Sequence, residues 1–321
     1  MKISIATLAV ALSALPVSSS IAQLVYSENF DVDPTASWTV NGGPSDETAN
    51  FFFDYSTAGI PTAPNSGGST RGLKMYANHV NGIFGGFSVS PTGQSFVGSY
   101  ELRFDLWINF NGPAPVGGSG STQITGAGIG TAGATPQWPG GIQDSVWFAT
   151  TGDGNSASDY RAYSTAAPTS YPDASPIYAA GAFAGNRNAS AAYYAGLGGA
   201  TPPAAQTGLF PQQTGAAGAG APAFAWHDVR ILKLGNTITW TMDGLLLATV
   251  DASTVTLGGS DILLMYSDTN ATSSSDPNDV NLLFGLFDNI TVTLVPEPGT
   301  PLLSLLGAIG VYLARRKRKE S

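Results

Sequence analysis

The sequence of 321 residues predicts an all-β fold, an antiparallel β-sandwich or jelly roll, on three observations. Over residues 100–110 apolar and polar side chains alternate, with Leu102, Phe104, Leu106 and Ile108 on one face and Glu101, Arg103, Asp105 and Trp107 on the other. Over residues 229–250 two tight-turn pairs, Gly235-Asn236 and Asp243-Gly244, separate three apolar-rich runs, which reads as a three-strand meander. Between the two ends of the chain no stretch shows sustained helical spacing with caps, while turn residues recur throughout, and this argues for stacked sheets.

The elements follow in chain order. Lys2, the largely apolar residues 3–15 and the small residues of Ser20-Ile21-Ala22 form an export signal, with cleavage expected after Ala22. Residues 23–294 are the exported body. Within it residues 111–222 hold 21 of the 40 glycines and six charged side chains, so they are expected to be a long Gly/Ala-rich insertion, with strands only near 145–150 and 160–164. The meander follows, and residues 262–266 and 282–294 supply the closing strands.

The remaining tail, 295–321, opens on Pro296-Glu297-Pro298, whose two prolines exclude a helix and leave an extended linker. Residues 302–314 carry no charge. That run is shorter than the roughly 20 residues of a bilayer span, but residues 299–301 and the stems of Arg315 and Arg316 lengthen it, so a transmembrane segment is expected at about 300–314. Arg315, Arg316, Lys317, Arg318 and Lys319 form a basic stop that places the C-terminus in the cytoplasm.

Charge and composition exclude several functions. The body carries seven basic and 20 acidic side chains, a formal charge of −13, which repels nucleic acid and anionic lipid. The chain has no cysteine, so disulfides, zinc fingers and thiol catalysis are out. Gly128, Gly130 and Gly133 fit a dinucleotide-binding spacing, but Pro136 and Pro139 stand where its helix would start.

An export signal combined with Pro296-Glu297-Pro298, an apolar segment and the cluster 315–319 resembles the PEP-CTERM proteins of Gram-negative bacteria. That resemblance implies that the tail is a sorting signal read by a membrane protease-transpeptidase of the exosortase type. Pro296, Glu297 and Pro298 would be its recognition motif and Arg315 to Lys319 its stop. It also implies a setting at the cell envelope, among extracellular polysaccharide and biofilm. A second resemblance, to concanavalin A-like (laminin G-like) domains, covers residues 24–294. It rests on Glu28-Asn29-Phe30-Asp31 with Trp38, on residues 226–231 leading to Met242-Asp243-Gly244, and on residues 287–292 as a closing strand expected to pair near the first.

Catalysis finds little support. A glycosidase needs two carboxyl groups roughly 5 to 9.5 Å apart, whereas Glu101 and Asp105 on one strand face are about 13 Å apart at ~3.4 Å per residue. Arg103 between them suggests an exposed salt-bridged ladder. His79 and His227 lack a neighbouring nucleophile. Calcium is a candidate cofactor: Asp31 and Asp288 would be ligands if the first and last strands pair, and Asp268, Asp276 and Asp279 are an alternative loop set. Candidate sugar-stacking rings are Trp138, Tyr160 and Tyr163, with Tyr171, Tyr178, Tyr193 and Tyr194 nearby in sequence. The sequence therefore predicts a non-catalytic exported protein that binds or organises extracellular polysaccharide. A purely structural, self-associating surface protein is the alternative, and an envelope glycosidase or polysaccharide lyase ranks third.

Overall fold

An alternating strand is stable only when its apolar face is covered, and here two sheets cover one another. The computed structural model describes residues 22–42, 46–77, 79, 85–112, 123–141, 144–154, 159–164, 177–179, 188–268 and 278–296. Residues Gln23–Val295 form one compact unit. Its strands are β1 (Gln23–Glu28), β2 (Trp38–Asn41), β3 (Glu47–Asp54), β4 (Arg71–Ala77), β5 (Gly85–Pro91), β6 (Tyr100–Asn109), β7 (Gln123–Thr131), β8 (Val146–Thr151), β9 (Tyr160–Tyr163), β10 (Ile177–Ala179), β11 (Trp226–Leu234), β12 (Thr237–Met242), β13 (Leu245–Asp251), β14 (Asp261–Asp268) and β15 (Phe284–Leu294). Two short helices, α1 (Ala204–Leu209) and α2 (Asp279–Leu282), are the α-helices among the described residues.

Among the described residues the larger sheet has nine strands in the order β10-β13-β12-β11-β6-β15-β4-β3, with β1 also paired to β15; the smaller runs β2-β5-β14-β7-β8-β9. All these pairings are antiparallel. The all-β antiparallel sandwich expected from the alternation is thus the fold. Leu102, Phe104, Leu106 and Ile108 of β6 are buried against inward residues of the smaller sheet such as Phe87, Phe148 and Leu264. The meander is formed by β11, β12 and β13, and Asp243 (φ 51°) and Gly244 (φ 81°) supply the two left-handed residues its second turn needs.

The stretch 111–222 is no insertion outside the sandwich. It supplies β7, β8 and β9 to the smaller sheet and β10 to the edge of the larger one. The expected strands near 145–150 and 160–164 are β8 and β9; β7 escapes sequence reading because Gly126, Gly128 and Gly130 give it no strand propensity. Gly126 and Gly128 are there because β8 lies too close for a side chain, and Gly130 because its backbone is left-handed (φ 83°) with Leu257 packed against it. A Cβ on Gly128 would sit 2.3 Å from the Cβ of Trp147, and one on Gly126 would sit 2.0 Å from the carbonyl oxygen of Phe148.

A second, smaller apolar cluster lies on the other face of β7, β8 and β14: Ile124, Trp138, Trp147, Ala149, Tyr163, Leu263 and Met265. The chain at 132–141 lays Trp138 over this face, its indole packed beside Gly86, Gly140 and Gly141. Gln137 accepts from Asp144 N and Ser145 Oγ and donates to Thr135, which fixes that crossing.

No helix of the described residues is long and apolar enough to cross a membrane, and the expected span at 300–314 lies outside them. So do the export signal before Ala22 and the basic stop. Ala22 is exposed immediately before β1.

One buried cation is held without a carboxylate. Lys74 on β4 is 8% exposed; its Nζ faces the rings of Phe284, Phe53 and Tyr76 at 4.4, 4.7 and 5.4 Å and donates to Val280 O. Burial lowers its pKa from 10.5 to about 8. The unfolded chain therefore binds the extra proton between those values, so the charge costs stability below pH 8 and the cost fades as pH rises to 10.5. Lys74→Met is expected to raise the melting temperature at neutral pH, by at most about 3 kcal/mol of stability, with the gain shrinking in alkali. Thermal melts across that pH range check it; a loss at neutral pH would mean that the rings' attraction for the ammonium outweighs desolvation.

Candidate functional site

The outer face of the larger sheet carries a row of three carboxylates. Asp105 on β6 is in register with Asp228 on β11 and with Asp288 on β15. Like charges directly opposite across a ladder are destabilising, and each aspartate is answered differently. Asp228 takes the guanidinium of Arg103 at 2.6 Å and that of Arg230 at 2.8 Å. These contacts hold its pKa below the usual carboxylate range against the opposing effect of burial. Asp105, 1% exposed, accepts from Asn65 N, Asn65 Nδ2 and Asn289 Nδ2 at 3.1, 2.7 and 2.8 Å. Asp288, fully buried, accepts from the Tyr55 hydroxyl at 3.1 Å and from Asn289 N at 2.7 Å. Burial pushes Asp288 up to about 7, and the charges of Asp105 and Asp31 add to the shift.

The backbone explains why the row opens into a cleft. On one edge β15 pairs with β4 over Gly285–Phe287 and with β1 from Ile290 onward. Between the two partners its register with β6 slips, and Asn289 adopts a left-handed backbone (φ 52°). Phe30, just past β1, is also left-handed (φ 57°), with its N–H capped by Glu28 at 2.8 Å and its ring buried beside Trp38. The result is a cleft of about 250 Å³ bounded by Glu28, Asn29, Asn65, Arg103, Asp105 and Asn289. It lies just under the roughly 300–1,000 Å³ of small-molecule sites, which suits a single ring rather than a large ligand. Its lining mixes carboxylates, amides and a guanidinium, the groups that exchange hydrogen bonds with hydroxyls.

The residues singled out from sequence fare unequally. The first and last strands do pair, which brings Asp31 close enough to raise the pKa of Asp288. As calcium ligands they fit poorly: Asp31 is tied to Asn29, both Asp288 oxygens already accept hydrogen bonds, and no group of three or more acidic or histidine side chains among the described residues is placed to hold a metal. Calcium takes roughly six to eight oxygens, and this set does not supply them. Of the alternative loop set, Asp276 lies outside the described residues and Asp268 and Asp279 are buried.

The proposed stacking rings are corrected by burial. Trp138 is 5%, Tyr160 1% and Tyr163 0% exposed; Tyr163 stacks on Trp147 at 3.8 Å and Tyr160 on Tyr194 at 4.2 Å, so none presents a face to a sugar. Tyr193 is half-buried with its hydroxyl on Leu246 O, and Tyr171 lies outside the described residues. Arg103 does not bridge Glu101 and Asp105 as expected; it crosses to Asp228 on the next strand. Both ring nitrogens of His227 face acceptors, Asp243 and Pro222 O, and His79 is buried against Tyr76, with burial lowering its pKa to about 4.

Sequence reasoning missed Asn65, Tyr55, Asp228 and Asn289 as site residues. The one available signal was the run Phe287-Asp288-Asn289, where an Asp-Asn pair interrupts an apolar strand.

An all-β sandwich with this cleft is joined to a recognisable address. Residues 294–319 match the PEP-CTERM protein-sorting motif, which marks the chain as exported and sorted to the cell envelope. No curated protein compared with the chain matches it. Among solved structures the chain is similar to a Bacillus subtilis protein of unknown function with a galectin-like fold (11% identity, 85% of this chain and 98% of that one, TM-score 0.41). It is also similar to an endo-acting O-glycanase of the human gut microbiota (14% identity, 85% and 100%, TM-score 0.44). A third is a glycoside hydrolase family 16 endo-glucanase from Bacteroides ovatus (11% identity, 83% and 99%, TM-score 0.40).

The raised pKa of Asp288 sets a pH signature. Its carboxyl ionises at 3.8 unfolded and at about 7 folded, so the folded state binds the extra proton in between. Its stabilising contribution is full below pH 3.8 and is lost as pH rises through 7. Asp261, raised by burial to about 7, adds a slope of the same sign. Asp288→Asn and Asp261→Asn are each expected to make the melting temperature fall less, or rise more, from pH 4 to pH 8, on top of the opposite slope from His79, whose pKa is lowered from 6.5 to about 4; melts of the three proteins in parallel check this.

Proposed function

We propose that the body is a non-catalytic module that binds a neutral sugar unit of extracellular polysaccharide in the cleft beside the aspartate row. By this reading it organises the biofilm matrix at the cell surface. Its tail crosses the membrane at about 300–314 and holds it there until a sorting enzyme of the exosortase type reads Pro296-Glu297-Pro298. The observation that carries the reading is the cleft itself, a ring-sized, mixed donor and acceptor site on a chain addressed to the envelope. Glu28 and Asp105 at its wall disfavour an anionic sugar.

The non-catalytic part is supported by the state of the carboxyls. A general acid has to hold a proton within reach of its substrate; Asp288 is fully buried beneath Tyr55, and Asp105, although at the cleft wall, accepts three N–H donors. Both ring nitrogens of His227 are turned to acceptors of the protein itself, Asp243 and Pro222 O, and not to a substrate.

Affinity electrophoresis of residues 23–295 against neutral and acidic bacterial polysaccharides, with and without EDTA, is the test. Retardation by a neutral polymer and insensitivity to EDTA are expected. Glu28→Gln keeps an acceptor for Phe30 N but removes the charge, and should weaken retardation by about threefold to tenfold, the loss of one charged hydrogen bond. A body that no polymer retards, or one that cleaves a polymer, would overturn the reading.

A further inference from the structure

Eight large apolar side chains stand out as exposed among the described residues, and four of them gather at one end of the sandwich: Leu24 (57%), Val25 (39%), Val97 (69%) and Leu234 (40%). Their neighbourhood is fixed by pairing. Gln23 lies opposite Leu294 and Leu24 opposite Thr293, while Tyr100 lies opposite both Leu294 and Lys233. The turn at 235 is tied to the start of β6 by Gly235 N to Ser99 Oγ, and the chain end by Val295 N to Ser99 O. Lys233 reaches across to Gly98 O, its ammonium at the rim of the patch. In a body with 20 acidic side chains, those that border this end are Glu101, half-buried, Asp251, beside the Asn236 turn, and Asp261, which is buried near Tyr100 and follows the Ser260 carbonyl that accepts from Phe96 N.

The chain leaves the sandwich from the middle of this patch. Pro296 follows Val295, and the apolar run begins at Pro301. Five residue steps span at most about 18 Å, whereas the sandwich is longer than that: the ten residues of β6 alone extend ~34 Å. If the tail is in the bilayer, this tether holds this end of the body within about 18 Å of the lipid.

We propose that this end, Leu24, Val25, Val97 and Leu234 with Lys233 at its rim, is a membrane-contact surface that seats the body on the bilayer interface before sorting. The proposal rests on the transmembrane reading of the tail given above. Exposed aliphatics at a headgroup boundary gain by leaving water, and a lysine beside them can keep its ammonium among the phosphates. Seating there would also hold the Pro-Glu-Pro linker at the height of a membrane-embedded sorting enzyme.

The absence of cysteine makes the test direct. The full chain carrying Val97→Cys, Leu234→Cys, Leu209→Cys or Val311→Cys is labelled with an environment-sensitive fluorophore and reconstituted in vesicles of phosphatidylethanolamine and phosphatidylglycerol. Leu209 on α1 is 55% exposed and lies toward the Asn109 end of β6, the far end of the sandwich, where its neighbour Gln206 donates to Asn109. Labels at 97, 234 and 311 should shift to the blue and lose at least half their emission to headgroup nitroxide lipids, while 209 stays unchanged. Label 311 in lipid with 97 and 234 in water overturns the membrane-contact surface alone. Label 311 in water overturns the transmembrane reading and this proposal together. Shifts at 97 and 234 that appear equally without lipid and grow with protein concentration would assign the patch to a second copy of the chain, and also overturn it.

Discussion

Three aspartates in one row across three adjacent strands are the constraint on which this structure turns. Left alone, such a row would push β11, β6 and β15 apart, because like charges on facing positions destabilise a ladder. Each is neutralised by a different means: two guanidiniums on Asp228, three N–H donors on Asp105, and a near-neutral pKa on Asp288. The solutions are drawn from four separate parts of the chain, the first being Arg103 in β6 itself. Asn65 and Tyr55 come from the turn between β3 and β4, Arg230 from β11, and Asn289 from the irregularity in β15. A loop that would otherwise be free surface is thereby fastened over the sheet, with Trp226 Nε1 adding a bond to Pro61 O at 2.7 Å.

The same constraint makes the cleft. The slip in β15 comes where its edge partner changes from β4 to β1, and the left-handed Asn289 turns its amide onto Asp105 at that point. Left-handed backbone at a non-glycine residue costs roughly 1 kcal/mol or more and persists where its surroundings repay it. Here the repayment is hydrogen bonding to two buried carboxylates. The site is therefore held rigid by the sheet on which it sits. The opposite outer face, that of the smaller sheet, is closed by contrast: Trp138 and the Trp147–Tyr163 stack make it a second core.

How much of this was legible in the sequence depends on the range of the interaction that decides each feature. The meander was legible because Asp243-Gly244 carries its turn in two adjacent residues. The alternation in β6 was legible because its inner face is apolar throughout. The strand β7 was not, because its glycines answer to Trp147 and Phe148 about 20 residues away, and local propensity points the wrong way. Trp138 was misread for a related reason: Pro136 and Gly140 mark a loop, and nothing local says that the loop crosses a sheet. The resemblance to concanavalin A-like domains supplied the pairing of first and last strands, and so the company of Asp31 and Asp288. It did not supply Asp228 or Asn65, since the row exists only once β6, β11 and β15 are in register.

That register also ties the site to the chain's travels. The cleft needs β1, which begins directly after the expected cleavage point, and β15, which ends two residues before Pro296. Their pairing joins residues more than 260 positions apart, the least local strand pairing among the described residues. Non-local strand pairs form late because the loop-closure cost must be met before any contact rewards it. The meander β11, β12 and β13 can assemble locally, but the place of β15 beside β6 cannot be filled until the last strand has arrived. A chain exported from its N-terminus would thus complete its aspartate row, and with it the cleft, only when β15 is across. The site and the sorting signal would become available at the same moment, because one strand carries the bulge at Asn289 and the exit to Pro296.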